Sequence, residues 1–276
     1  MTSLKIGYSP CPNDTFIFAA LAEQRVAAPF QFQPVLADVE TLNQWALEQR
    51  LAVTKLSFMA LGLVRNSYGL LSAGGALGRG CGPLLVARPG TTLAGLDCGT
   101  VAVPGNMTTA RLLLGLFCGR TPSFKQMVFS EVMPAVARGE ADFGLVIHEG
   151  RFTYGNLGLE ALLDLGAWWE QKTGLPIPLG GIAVRRDLGP KVARQVDRSI
   201  RTSLETAMSA PDEAMGYVLA HAQEMDRQVV MQHIDLYVNS FSVDLGPAGR
   251  NAVETLFSIG ENAGMIPASS LPLMAY

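Results

Sequence analysis

The sequence predicts an α/β protein made of two lobes with a ligand cleft between them. Three observations support this fold class. Short β-forming runs alternate with helical patterns through roughly the first 150 residues, which is typical of α/β folds. Two stretches within that region resemble each other. The length of 276 residues suits two smaller lobes, because a single hydrophobic core stops growing at about 250–300 residues.

The predicted strands are short and mostly apolar, and helical patterns follow several of them. We expect strands at residues 4–9, 30–36, 52–58, 82–88, 100–104, 124–129 and 142–148. We expect helices from about residue 14 and at residues 39–49, 108–118 and 131–138. From about residue 191 onward the pattern is mainly helical.

A repeated pattern supports the two lobes. KIGYSP followed by NDTFIFAALA resembles TVAVPG followed by MTTARLLLGLF, since each is a strand, a turn with proline and an amphipathic helix with threonine near its start. General βα patterning produces such likeness too, so duplication does not follow from it. The glycine-rich segment 82–90 and the segment GLPIPLGGIAVRR are natural crossings between lobes. We therefore predict that residues 1–88 and 179–276 form lobe one and residues 89–178 form lobe two.

The composition is that of a soluble globular protein, with 49% hydrophobic residues, 16% charged residues and a net charge of -3. Without a basic stripe, nucleic acid is not an expected partner. The apolar runs of the sequence are shorter than the ~20 residues that cross a bilayer, so we expect no membrane span. The start MTSLKIGYSPCPND does not have the pattern of an export signal, which predicts a cytoplasmic protein. The oligomeric state does not follow from these features.

Several classes of site are disfavoured by missing motifs. The four cysteines are scattered without a CxxC pair or a histidine at zinc-ligand spacing, which predicts reduced thiols and no metal. GALGRGCGP lacks both phosphate-binding glycine patterns, so nucleotide binding has weak support. No GxSxG, HExxH or paired-carboxylate signature is present. A cofactor-free acid/base enzyme or a binding protein remains.

His148 is the histidine best placed for chemistry. It follows the apolar run FGLVI and begins the turn HEGRFTYG, so its imidazole should emerge at the carboxyl end of a strand, where α/β proteins gather reactive groups. An imidazole can accept a proton near neutral pH. A histidine bonded to a loop carbonyl would have the same position. Glu149 or Arg151 could tune its pKa, although adjacent strand residues usually point to opposite faces. For His221 and His233 we expect surface or core roles.

Two further segments should face the same cleft. Thr108 and Thr109 precede ARLLLGLF, and a helix start there would offer free backbone N–H groups to an anion. Ordinary helix capping explains these threonines equally well. Lys55 and Ser57 lie on one side of the strand VTKLSF, where they could offer a cation and a hydroxyl or simply be solvated. Residues 9–14 should line this cleft as well, with Asn13 and Asp14 also explained by helix capping. We interpret Asp14 as structural, because it would repel an anionic ligand.

Six motifs in order carry a resemblance to a known family. They are SPCPNDTFIF (9–18), KLSF (55–58), ALGRGCGPLLVAR (76–88), VPGNMTTARLLL (103–114), GLVIHEGRFTY (144–154) and LGAWWEQKTGLPIPLGGIAV (165–184). Together they resemble the 1,4-dihydroxy-6-naphthoate synthases of the futalosine route to menaquinone. The resemblance runs from the start of the chain to about residue 185, and the later helices are compatible with it.

The resemblance implies a type II periplasmic-binding-protein-like fold and a cytoplasmic lyase that uses no cofactor. The implied reaction converts cyclic dehypoxanthinylfutalosine, an aromatic carboxylate, to 1,4-dihydroxy-6-naphthoate and a dihydroxyfuranone. The family's proton-accepting histidine corresponds to His148 in the IHE motif. Its substrate-binding segments correspond to Lys55, Leu56 and Ser57 in KLS, and to Thr109 and Ala110 in TTA.

Two other functions compete with this interpretation. A transport receptor or ligand sensor for small carboxylates is possible because this fold commonly only binds its ligand. The absent export signal disfavours transport, and a sensor would normally carry a second domain. The sister enzyme chorismate dehydratase is the alternative within the same pathway, and the IHE and SPCPND motifs favour the naphthoate synthase over it.

Overall fold

In the computed structural model, which describes residues 3–222 and 226–276, the strands form two separate sheets. The first sheet has the order β2-β1-β3-β11-β4, and β5 also pairs with β11. Its strands are β1 Ser3–Tyr8, β2 Gln31–Leu36, β3 Val53–Ser57, β4 Tyr68–Leu70, β5 Ala76–Gly78 and β11 Ile177–Arg185. The second sheet has the order β10-β6-β9-β7-β8. Its strands are β6 Leu84–Ala87, β7 Thr100–Val103, β8 Ser123–Gln126, β9 Phe143–Val146 and β10 Glu160–Asp164.

Helices surround both sheets, and the last five follow one another after β11. The earlier helices are α1 Pro12–Ala22, α2 Val39–Leu47, α3 Phe58–Val64, α4 Thr109–Cys118, α5 Phe129–Ala137, α6 Gly150–Thr153 and α7 Leu165–Thr173. The later ones are α8 Gly189–Ser209, α9 Pro211–His221, α10 Arg227–Tyr237, α11 Ser240–Val243 and α12 Gly246–Asn262. None of the helices described is long and apolar enough to cross a membrane.

The helix α1 is buried beneath three of the later helices. Its residues from Pro12 to Leu21 are all buried, including the polar residues Asn13, Asp14 and Thr15. It packs against α8, α9 and α10, which cover it from the outside. The turn before α1 follows the carboxyl end of β1 and lines the cleft.

The long strand β11 differs from the sequence prediction, which interpreted its segment as a crossing rich in proline and glycine. Ile177–Arg185 pairs with β3, β4 and β5, and the register shifts between Pro178 and Gly180. Glycine is required at position 180, because a Cβ atom there would lie 2.7 Å from the backbone oxygen of Leu56. This close approach brings β11 against the site-forming end of β3.

The chain passes from the first sheet to the second between β5 and β6, and it returns between β10 and β11. The strand Leu84–Ala87 pairs with β9 and β10 of the second sheet. Sheet membership therefore changes before this strand, whereas the predicted lobe boundary followed it at residue 88. The division into lobes by residue range remains a prediction.

Candidate active site

His148 begins the turn after β9 and faces the cleft. Its backbone has a φ of 53°, in the left-handed region that few residues other than glycine adopt. The side chain is half-buried, and the ring of Phe129 meets it edge-on with the ring centroids 5.7 Å apart. Such strained backbone positions persist where the surrounding structure holds them, and they cluster at functional sites.

The electrostatic surroundings of His148 favour a neutral ring. Burial lowers the pKa of His148 below the ordinary imidazole value, because the charged form loses hydration. The negative charges of Glu149 and Asp14 oppose that shift, and the positive charge of Lys55 reinforces it. The neutral imidazole can therefore accept a proton at physiological pH.

Glu149 lies beside His148, and its negative charge opposes the lowering of the imidazole pKa by burial, a role that the sequence analysis left open. β9 ends at Val146, so the alternation of strand faces no longer applies at these positions. Ligand atoms of the His148 and Glu149 side chains lie within 4.8 Å of each other. Arg151 is occupied elsewhere, because its guanidinium donates to Asp164 Oδ2 at 2.6 Å and to the Gly82 carbonyl at 2.6 Å.

Lys55 reaches the cleft from β3 as part of a buried ion pair. Its Nζ atom lies 2.6 Å from Asp14 Oδ1, and both side chains are almost fully buried. Asp14 Oδ2 also accepts a hydrogen bond of 2.7 Å from the Ser9 hydroxyl. Asp14 lines the cleft and has the structural role of pairing with Lys55. The positive charge that the sequence analysis offered to a ligand from Lys55 is therefore offset by Asp14.

His233 was expected to lie at the surface or in an ordinary core position, but it lies beside the site. It is fully buried on α10, and its ring is parallel to that of His148 with the centroids 5.8 Å apart. Its Nε2 atom lies 2.9 Å from Asn13 Oδ1. Asn13 Nδ2 donates to Asp14 Oδ1 at 2.9 Å, which orients the amide so that its oxygen faces His233. Nε2 of His233 is therefore the protonated nitrogen.

Ser57 ends β3 with a hydroxyl that is available to a ligand. Asn43 on α2 holds this residue from two sides, because its Oδ1 accepts from the Ser57 N–H at 3.1 Å and its Nδ2 donates to Ser57 Oγ at 3.2 Å. Since Ser57 Oγ serves as an acceptor in this contact, its own proton remains free to be donated. Leu56 is buried between Lys55 and Ser57 and lines the cleft with them.

The start of α4 presents the predicted helix-terminal amides. Thr108 is the N-cap, and its hydroxyl accepts from the Arg111 N–H at 3.3 Å. The N–H groups of Thr109 and Ala110 have no acceptor within the helix, as is general for a first turn. The Thr109 hydroxyl is already used, since it accepts from the Phe58 N–H at 2.8 Å and donates to the Leu179 carbonyl at 2.5 Å. It thereby ties α4 to the first sheet.

Glu40 forms a second set of hydrogen bonds across the cleft. Its carboxylate accepts from the N–H groups of Asn106 at 2.7 Å and Met107 at 3.1 Å. The loop before α4 is therefore held by an acidic side chain of α2. A Cβ atom at Gly105 would collide with the Glu40 carboxylate, so glycine allows this close approach.

The cleft has two adjoining compartments that meet at His148. The inner compartment is lined by all six residues that the sequence proposed for the site, namely Lys55, Leu56, Ser57, Thr109, Ala110 and His148. Asn13, Asp14 and Tyr237 line it as well. The outer compartment is lined by Cys11, Glu40, Gln44, Gln126, Phe129, Ser130 and Glu149 together with His148. A ligand with two parts could place one in each, with the imidazole between them.

The chemistry available here is proton transfer next to an anion-binding helix start. Among the described residues, Cys11, His148 and Glu149 are the grouping that could hold a metal ion. Asn13 lies in the turn that the sequence placed at the cleft, although helix capping was the role expected for it. The sequence analysis missed Asn43 and Glu40 and gave His233 no site role, because no local pattern marks these residues.

Comparison with known proteins gives consistent results for sequence and fold. The model of the family described as menaquinone biosynthesis matches residues 4–262. A curated relative from Thermus thermophilus, named 1,4-dihydroxy-6-naphtoate synthase, is 51% identical over 275 residues, which is 99% of each chain. A relative of the same name from Streptomyces coelicolor is 45% identical over 279 residues, covering 99% of this chain and 98% of its own.

Solved structures show the fold class. A crystal structure of a protein from Archaeoglobus fulgidus has 35% identity and a TM-score of 0.90, covering 96% of this chain and 98% of that one. The periplasmic aliphatic sulphonate binding protein SsuA from Escherichia coli has 11% identity and a TM-score of 0.66, covering 97% and 89%. The predicted periplasmic-binding-protein-like fold is confirmed by this likeness. With the family model matching almost the whole length, this chain belongs to the menaquinone biosynthesis family.

Proposed function

We propose that this protein is a lyase that converts cyclic dehypoxanthinylfutalosine to 1,4-dihydroxy-6-naphthoate and a dihydroxyfuranone, with His148 as the proton acceptor. The observation that carries the proposal is the position of His148 at the junction of two compartments, with a pKa lowered by burial. A neutral imidazole between the two parts of a bound ligand is suited to remove a proton there. The name of the curated relatives supports the choice of product.

The inner compartment suits the aromatic carboxylate part of this substrate. The free N–H groups of Thr109 and Ala110 and the Ser57 hydroxyl offer three donors to a carboxylate, and the positive end of the α4 dipole adds to them. Lys55 contributes less charge than the sequence suggested, because Asp14 pairs with it. Hydrogen bonds from neutral donors to the carboxylate therefore contribute most of the binding free energy of this part of the substrate.

The outer compartment is then left for the sugar-derived part. Removal of a proton from that part by His148 would start ring opening and carbon–carbon cleavage, and Glu149 beside the ring would stabilise the imidazolium that forms. The hydrogen bonds made by Thr109 and Glu40 hold the two sides of the cleft together during this step. A closed cleft limits access of water to the reacting groups. Because the relatives are named for a biosynthetic activity, we place the reaction in the cytoplasm. The mechanism uses proton transfer by His148 and assigns no step to a metal or organic cofactor.

The test is direct turnover. Purified protein incubated with cyclic dehypoxanthinylfutalosine should release 1,4-dihydroxy-6-naphthoate, detected by mass spectrometry. A parallel incubation with chorismate examines the sister dehydratase, and we expect no product from it. Tight binding of the first compound in calorimetry without any product would instead indicate a carboxylate-binding protein or sensor and would overturn the proposal.

A further inference from the structure

Three side chains with different donor atoms converge at the mouth of the outer compartment. The Cys11 thiol comes from the turn before α1, while the His148 imidazole and the Glu149 carboxylate come from the turn after β9. One ligand atom of each lies within 4.8 Å of the other two. Because α1 packs in the first lobe and β9 belongs to the second sheet, this group spans the cleft.

The donor set fits one class of ligand. A sulfur, an imidazole nitrogen and a carboxylate oxygen are the three donor types that zinc binds, at about 2.0–2.3 Å in tetrahedral geometry. Ligands around such an ion lie roughly 3.3–3.8 Å apart, a spacing that follows from those bond lengths. The separations of up to 4.8 Å exceed this spacing by at most about 1.5 Å, so small movements of the side chains would bring the three donor atoms to one ion.

An independent observation is that two buried acceptor atoms beside these side chains have no hydrogen-bond partner within the described residues. Within the part of the chain that the structure describes, Oε2 of Glu149 is buried and accepts no hydrogen bond, and the same holds for Nδ1 of His233. These two atoms are 3.8 Å apart. Two buried acceptors without a donor are costly, and a cation held by the carboxylate removes part of that cost.

Charge compensation points to the same place. Lys55 is paired with Asp14, and Arg151 is paired with Asp164, so neither neutralises Glu149 directly. The outer compartment gives solvent access to Cys11, His148 and Glu149, so an ion can reach them without opening the core.

We propose that Cys11, His148 and Glu149 form a binding site for a thiophilic divalent cation, with zinc as the best fit, and that occupation of this site inhibits the protein. Binding replaces the thiol proton with a metal–sulfur bond and releases one proton to solvent. The imidazole lone pair is taken up by the ion, so His148 can no longer accept a proton. The bond from Cys11 to the opposite turn also holds the cleft shut. The inhibition rests on the proposed function, whereas the binding does not.

The first test is spectroscopic and needs no turnover. Chelator-treated protein is titrated with Co²⁺, which reports a thiolate ligand through charge-transfer absorption in the near ultraviolet. We expect one equivalent to bind with this band in the wild-type protein and in Cys98→Ser, a control at an exposed cysteine. Cys11→Ser should lose the band. Glu149→Gln should keep the band and weaken Zn²⁺ binding at least about tenfold in competition with a chromophoric chelator.

The second test measures activity. Zn²⁺ should inhibit naphthoate formation, chelator should restore it, and Cys11→Ser should need at least about tenfold more Zn²⁺ for half inhibition of its own metal-free rate. Unchanged Co²⁺ spectra and Zn²⁺ affinity in Cys11→Ser would overturn the binding site. Full activity with the site saturated by Zn²⁺ would overturn the inhibition. If no turnover occurs at all, the proposed function fails while the cobalt spectra still decide the site.

Discussion

The imidazole rings of His148 and His233 lie 5.8 Å apart and are inclined by only 15° to each other. His233 is fully buried, and its pKa is well below the ordinary value because of burial, with the charges on His148 and Lys55 adding to the effect. A proton gained by either ring disfavours a proton on the other. His148 therefore has beside it a neutral ring that is fixed by Asn13 and does not compete for the proton.

Replacement of His148 by asparagine should abolish most turnover while the fold survives. Asparagine adopts the left-handed backbone more readily than most residues, so the φ of 53° is tolerated, but its amide accepts no proton near neutral pH. We expect a loss of about 10²–10⁴ in kcat. The matched control is His221→Asn, since His221 contacts the Tyr217 carbonyl on α9 and lies outside the cleft lining. Near-normal turnover in His148→Asn would assign the base elsewhere.

The rate should depend on pH through a group that titrates below the free imidazole. Since burial lowers the pKa of His148, kcat/KM should rise as the pH increases from acid, with the midpoint of the rise below pH 6.5. Above that midpoint kcat/KM should reach a plateau. Chelator present throughout keeps the enzyme free of metal and should leave the plateau rate unchanged. A midpoint above 6.5 would contradict a base whose charged form is disfavoured by burial.

Breaking the ion pair of Lys55 and Asp14 should destabilise the protein strongly. Lys55→Met leaves a buried carboxylate without its cation, and loss of one partner of such a pair costs about 3–5 kcal/mol. The double variant Lys55→Met with Asp14→Asn removes both charges and should recover much of the free energy of unfolding. Chemical denaturation measures the free energy of unfolding of the wild-type protein, the single variant and the double variant. A loss below about 1 kcal/mol in the single variant would show that the pair is not buried as described.

Removal of the Ser57 hydroxyl should weaken substrate binding without loss of the fold. A hydrogen bond to a charged group is worth about 1.5–3 kcal/mol, so Ser57→Ala should raise the dissociation constant about 10- to 100-fold. Calorimetry in the His148→Asn background, whose turnover is expected to be slow, limits conversion of the substrate during the titration. Ser123→Ala, at an exposed position on β8, is the control and should leave the affinity unchanged. Equal affinities in both variants would remove Ser57 from the binding site.

The sequence predicted much of the architecture because strands and helices leave local patterns. The run FGLVI located β9, although the predicted strand continued to residue 148 and β9 ends at Val146. The paired threonines located the start of α4. Local patterns were therefore enough to assign His148, Thr109 and Ala110 to a cleft. The strand β11 was not predicted, since proline and glycine hide a strand whose register is set by contacts with β3.

The partners within the site could not be predicted because they are distant in sequence. Lys55 and Asp14 are separated by 41 positions, and His233 and Asn13 by 220. Each of these residues has an ordinary local environment, and only the packing of α1 and α10 against each other brings His233 to Asn13. Burial then changes the chemistry of such groups, which no local pattern records.

The left-handed turn at His148 places two separate demands on one position, a backbone shape and a proton-accepting ring. Glycine meets the first demand without steric cost and leaves a gap with the outline of an imidazole beside the cleft. A His148→Gly enzyme should therefore be open to chemical rescue, in which imidazole dissolved in the buffer occupies the gap and restores part of the lost turnover. Alkyl-substituted imidazoles that exceed the gap should fail to do so, so the size dependence of the rescue would measure how closely the cleft encloses its base.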